Sequence, residues 1–233
     1  MQFLALFLFS LINYTCRAQN NLCSSSCGKI INIGYPFRLK TDPKHCGDKR
    51  YSLSCENNQT ILYLYSGKYI VEAINYNNYT IQILDSNVQR GNCSSLPSNS
   101  LGPTNFSYID PYEYDAVNFN TDFLTNTIIF VNCENQVRSP IYIATDSCKN
   151  GGLFQSKGYS YVIVKGYLSV SEMVDSCFVE LMAMISAMGK NGSNTSYIDI
   201  HKELANGIEL SWLKGSSQHP TEFAYRYLPL VMI

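Results

Sequence analysis

Three histidines, at positions 45, 201 and 219, and not a single C-x-x-C pair are all that this 233-residue chain offers toward a metal site. None of those histidines stands at a spacing that zinc ligation uses. The common catalytic signatures are missing too: there is no G-x-S-x-G, no H-E-x-x-H and no G-x-x-x-x-G-K-[ST]. Their absence excludes a nucleophile elbow, a zinc-protease helix and a phosphate-cradling loop. Neither a catalytic residue set, nor a metal, nor a cofactor is therefore expected. Past the first residues, long apolar runs are lacking as well. "CFVELMAMISAM" carries Glu180 and falls short of the roughly 20 apolar residues that span a bilayer. No fixed-period repeat and no low-complexity tract occurs, and a formal net charge of −1 gives no reason to expect a nucleic-acid partner.

What is present starts with a leader. Phe3 to Ile12 is an uncharged apolar run of ten residues, too short to cross a membrane, and Ala18 supplies a small residue for cleavage. Residues 1–18 are expected to be a signal peptide, with Met1 and Gln2 alone preceding the apolar run. Cleavage there removes Cys16 and leaves eight cysteines, Cys23, Cys27, Cys46, Cys55, Cys93, Cys133, Cys148 and Cys177. An even set in a secreted chain points to disulfides. That leaves no cysteine for a Cys/His nucleophile. Eight cysteines allow 105 connectivities; Cys46 and Cys55, nine apart around a turn-like segment, are a plausible local pair. Glycosylation sequons at Asn58, Asn78, Asn92, Asn105, Asn191 and Asn194 fit an extracellular chain, and each must face solvent if it is used.

Secondary-structure signals are mainly β. Thr60 to Tyr65, Tyr69 to Ile74 and Tyr79 to Leu84 are short runs rich in β-branched and aromatic residues, separated by turn-prone residues. Their spacing is that of an antiparallel meander. Asn126 to Cys133, Pro140 to Thr145 and Tyr159 to Leu168 form a second set. Between the sets, Gly91 to Ser107 is rich in Ser, Pro, Gly and Asn, which places a boundary near residue 100. Ser169 to Lys190 reads equally as a turn followed by a buried strand or by a helix. Ser196 to Leu210 fits one short helix, ended by Asn206-Gly207. The expected fold is mainly β, with disulfide-stapled antiparallel sheets in two small domains and minor helix.

Charge is distributed unevenly. Gln19 to Ser95 holds eight basic and five acidic residues, a net +3, while Leu96 onward holds eight basic and thirteen acidic, a net −5. Within the front half, Arg38, Lys40, Lys44, Lys49 and Arg50 gather with His45 in thirteen residues against two acids. Such a segment is either an ordinary solvated loop or a patch that concentrates anions, and arginine can grip a carboxylate with two parallel hydrogen bonds. One acidic group, Asp110, Glu113 and Asp115, sits in "YIDPYEYDAVNF". It reads as a solvated turn, or as the carboxylate set of a wall-glycan hydrolase.

"CSSSCGKIINIGYPFRLK", Cys23 to Lys40, combines two cysteines, a tight-turn glycine and a Tyr-Pro-Phe element. With "HCG" at His45 to Gly47, "LSC" at Leu53 to Cys55 and "YIVEAINYNNYTIQILD" at Tyr69 to Asp85, it resembles the galacturonan-binding extracellular domain of plant wall-associated receptor-like kinases. The branch it is most similar to is that of the leaf-rust resistance receptor kinases. "HKELANGIELSW", His201 to Trp212, resembles the end of that branch's second extracellular domain. The resemblance implies a galacturonan-binding-like domain over 19–100, an incomplete second extracellular domain over 101–214 and a divergent tail over 215–233. In place of the family's cysteine-rich tail, membrane helix and kinase stands "LKGSSQHPTEFAYRYLPLVMI", as a splice variant or a gene-model boundary would leave it. The implied role is a secreted, non-catalytic receptor ectodomain of the plant cell wall that binds acidic pectic polysaccharide; the charge count, and not the resemblance, makes Arg38, Lys40, Lys44, Lys49 and Arg50 its expected contacts. The resemblance also offers full-length receptor kinases as partners. Recognition of a protein or peptide in defence signalling is the alternative, drawing on the acidic second half and on Tyr112 and Tyr114 as exposed aromatics. Tyr35 and Phe37 are read as core in preference to sugar-stacking platforms.

Overall fold

The structure, a computed structural model, describes residues 23–107, 109–114, 125–148, 158–165, 168–186 and 195–212. The expected leader, Asp115, the sequons at Asn191 and Asn194 and the tail over 215–233 lie outside the described residues.

Strands β1 (Ser25–Cys27) and β2 (Ile30–Ile33) form an antiparallel hairpin that reverses at Gly28, where φ is +56°. A Cβ at Gly28 would lie 2.1 Å from the carbonyl oxygen of Asn58. The position therefore needs glycine for its left-handed backbone and again for the close approach. The approach docks the hairpin on the turn between β4 (Ser52–Glu56) and β5 (Gln59–Leu64), where Thr60 Oγ1 donates 2.9 Å to the Cys27 carbonyl.

β4, β5, β6 (Gly67–Asn75) and β7 (Thr80–Asp85) make the expected meander, with Ser54 opposite Ile61, Leu62 opposite Tyr69 and Ile70 opposite Leu84. Two further strands complete this sheet. β3 (Arg38–Leu39) adds parallel to β4 at one edge, and β12 (Ile208–Ser211) adds antiparallel to β7 at the other. A second sheet has the order β11-β8-β10-β9, from β8 (Thr125–Cys133), β9 (Ile143–Ala144), β10 (Tyr159–Val164) and β11 (Cys177–Ser186). Of the ambiguous Ser169–Lys190 stretch, the described residues, up to Ser186, form a single turn over Val170–Glu172 and then a strand. Pro140 to Thr145 contributes only two strand residues.

Helix α1 (Tyr197–Asn206) sits where the sequence places it. The Ser196 side chain accepts the Asp199 N–H, and Gly207 follows with φ +83°. Its buried residues, Tyr197, Ile200, His201, Leu204 and Ala205, fall on one stripe at helical spacing. The described chain changes sheet between β7 and β8 and returns to the first sheet with β12. Phe37, Tyr51, Leu53, Val71 and Ile83 of the first half pack in one core with Met184, Leu210 and Trp212 of the second. Leu84 and Val88 in turn pack with Phe130, Ile185 and the helix.

Four disulfides staple this arrangement: Cys23–Cys46, Cys27–Cys55, Cys93–Cys148 and Cys133–Cys177, with Cα separations of 4.9, 5.7, 5.8 and 4.0 Å. The expected local pair of Cys46 with Cys55 is corrected. Cys55 lies on β4 beside the hairpin and takes Cys27, whereas Cys46 ends a one-turn helix over Lys44–Cys46 and takes Cys23 ahead of β1. Cys133 and Cys177 are direct cross-strand partners on β8 and β11.

Candidate functional site

The basic segment forms the connection from edge strand β3 back to β4. Two single-turn helices, Lys44–Cys46 and Lys49–Tyr51, give it shape, and Cys46 ties it to Cys23. Its five cations have different fates. Arg38 is half-buried and donates from Nη1 to the Asp42 carbonyl at 3.1 Å, closing its own loop, and its Nε is buried without a partner among the described residues. Asp42 completes the same closure, accepting from the Leu39 N–H and the Ser25 hydroxyl, both at 2.7 Å. Arg50 is forked onto Asp48, with Nε and Nη2 at 3.1 and 2.6 Å from Oδ2. The hydrogen bond from Arg50 holds the Asp48 carboxyl below the usual carboxylate range. Arg50 also lies 5.8 Å over the ring of Tyr51.

Lys40, Lys44 and Lys49 differ. All three are exposed and make no ion pair among the described residues. Lys40 places its ammonium 4.7 Å over the ring of Tyr63. Other front-half cations are committed elsewhere: Lys29 and Arg90 flank Glu72, and Lys68 pairs with Glu56. Within this segment, the cations neither paired with an acid nor spent on the backbone among the described residues are therefore lysines and not arginines.

Two aromatic expectations are corrected here. Phe37 is core, with no exposed surface, but Tyr35 is 56% exposed, on the far side of a cis Tyr35–Pro36 peptide. Its phenol lies within electrostatic reach of Arg50 and Tyr51. Phe37 anchors an edge-to-face cluster with Tyr51, Tyr76 and Trp212 at 5.4–6.2 Å, which holds the loop's base rigid. Tyr112, expected to be exposed, is 1% exposed and packs edge-on against Tyr51, and Tyr114 is half-buried.

Part of the acidic loop has structural partners. Asp110 accepts from the Ser107 N–H and hydroxyl at 2.6 and 2.7 Å, and the Glu113 backbone pairs with Ser211 in both directions at 2.8 Å. Sγ of Cys23 and Cys46 and a ring nitrogen of His45 lie within 4.8 Å of one another, but both sulfurs are spent in a disulfide and offer no thiolate. Among the sequons, Asn58, Asn78 and Asn105 are exposed and Asn92 is half-buried.

One charged group stands apart from the surface. Asp85, 7% exposed at the end of β7, accepts the Asn87 and Ser98 N–H groups on Oδ1, and its Oδ2 has no partner among the described residues. Burial pushes its carboxyl above the usual range.

The basic loop thus stands on an aromatic base and carries three lysines with no ion pair among the described residues. The segment that builds it is recognisable as a unit. Residues 23–85 match the wall-associated receptor kinase galacturonan-binding family. That galacturonan-binding-type span contains the hairpin, β3 to β7, both N-terminal disulfides and all five cations of the basic loop. No curated protein and no solved structure matches the chain. No helix among the described residues is long and apolar enough to cross a membrane.

Proposed function

We propose that this protein is an extracellular, non-catalytic ectodomain module that binds pectic galacturonan of the plant cell wall through the basic edge beside β3. The observation that carries the reading is coincidence: the span matched by the galacturonan-binding family is the span that holds Lys40, Lys44 and Lys49, exposed and without an ion pair among the described residues. Each unit of the ligand carries a carboxylate, so exposed ammonium groups would meet a chain of anions. Exposed charge contacts of this kind act mainly on encounter rate and orientation and are screened over about 8 Å at physiological salt. Tyr35, exposed beside Arg50, supplies an apolar face for a sugar ring. Arg38 and Arg50 serve the loop's shape, by holding Asp42 and Asp48, more than the ligand's charge.

Four disulfides and exposed sequons support an oxidising, extracellular setting. The test is charge reversal at the unpaired positions. Lys44→Glu with Lys49→Glu should weaken binding to de-esterified galacturonan by at least tenfold and flatten its salt dependence, with the thermal midpoint unchanged. Affinity equal to the wild type would remove this edge from the account.

A further inference from the structure

The outer face next to the basic edge carries an arrangement that the loop does not require. Tyr63 on β5 stands directly across from Lys68 on β6. Its hydroxyl donates to Glu56 Oε1 at 2.8 Å, while Lys68 Nζ donates to Glu56 Oε2, also at 2.8 Å. Lys40 reaches in from beyond β3 to sit over the Tyr63 ring. Tyr63 is nonetheless 47% exposed, and it is an aromatic residue on an open sheet face with both ends of its orientation fixed. From these contacts we infer that Tyr63, Lys40 and Lys68 form a uronate subsite: the Tyr63 ring takes the apolar C–H face of one sugar unit, and the ammonium of Lys40 takes its carboxylate. This subsite rests on the galacturonan reading above and extends it from the loop onto the face of the sheet.

The chemistry runs from the strengths of the contacts. A cation over an exposed ring is held more weakly than a charge-assisted hydrogen bond to a carboxylate. An arriving uronate therefore draws Lys40 off the ring and uncovers the π-face in the same movement. Glu56 does not oppose the ligand as a lone anion would. Both its oxygens are engaged, by Tyr63 and by Lys68, and two lysines against one glutamate leave a single positive charge in surplus. One surplus charge fits one carboxylate. A methyl-esterified unit keeps the stacking face and forfeits the ion pair, so the subsite discriminates by charge.

Calorimetric titration of the intact glycosylated protein with a fully de-esterified oligogalacturonate tests this. Tyr63→Ala should weaken binding roughly three- to tenfold, while Tyr63→Phe, which keeps the ring, should stay near the wild type. Lys40→Met should lose affinity for the de-esterified oligomer and leave the weaker affinity for a methyl-esterified one unchanged. If the wild type binds and Tyr63→Ala binds equally well, the subsite is overturned while the basic edge stands. If Tyr63→Phe loses as much as Tyr63→Ala, the ring's role is overturned in favour of the hydroxyl. A wild type that does not bind removes the subsite together with the reading on which it rests.

Discussion

Arg38 and Lys44 carry the same charge six residues apart, yet their surroundings assign them opposite work. Arg38 has its guanidinium turned onto the Asp42 carbonyl and its Nε buried, so its removal opens the loop; Lys44 touches no acid among the described residues. Counting charges along the chain finds the segment and is blind to this division, because the partners of Arg38 and Arg50 are fixed by loop geometry. Tyr35 and Phe37 show the same limit, since two aromatics around one proline read alike until the backbone sends one inward and one out. Tyr63 falls within one of the strand-like runs, but its meeting with Lys68 and Lys40 depends on β5 pairing with β6 and on β3 lying beside β4. Asp85 yields a prediction at this scale. Burial raises its carboxyl pKa, so the ionised form is disfavoured in the fold. Its contribution to stability is fully present below the ordinary carboxylate pKa and is lost as pH rises through the raised value. Asp85→Asn keeps the Oδ1 acceptor for Asn87 and Ser98 and cannot ionise. Its thermal midpoint should exceed the wild type's at neutral pH, with the gap closing on acidification; a gap constant with pH would contradict this.

Elements were the most readable level. The three aromatic and β-branched runs became β5, β6 and β7 within a residue or two, and α1 begins at its Ser cap and ends at Asn206-Gly207. Local signals sufficed there because capping and alternation are local physics. Gly28 shows what they leave out. "CGK" suggests a tight turn, but not that the turn presses on the Asn58 carbonyl at 2.1 Å from a missing Cβ. Gly28→Ala combines a left-handed backbone with that clash and should destabilise the protein by about 1–3 kcal/mol, measured by denaturant unfolding with the disulfides intact. A midpoint equal to the wild type's would show that the hairpin is not docked on the β4–β5 turn.

At the level of the whole molecule the sequence is least informative, because the decisive contacts are distant. β12 returns from residue 208 to pair with β7, and Trp212 closes over Phe37 at 5.4 Å. Cys93 reaches Cys148 across 55 positions. No spacing rule selects such pairings from the many that eight cysteines and the twelve described strands permit. Their consequence is functional: the basic edge rests on β4, β4 on the aromatic core, and that core on a tryptophan from the far end of the described chain. The galacturonan-binding-type span over 23–85 thus depends for its packing on residues it does not contain. The central claim, that this assembled edge binds free carboxylates of pectin, is met most directly by titrating the disulfide-bonded protein with de-esterified homogalacturonan and with its fully methyl-esterified counterpart across a salt series. The account predicts saturable binding to the de-esterified polymer that weakens as salt rises, and at least tenfold weaker binding to the esterified one. Equal affinity for both, or binding indifferent to salt, would contradict it.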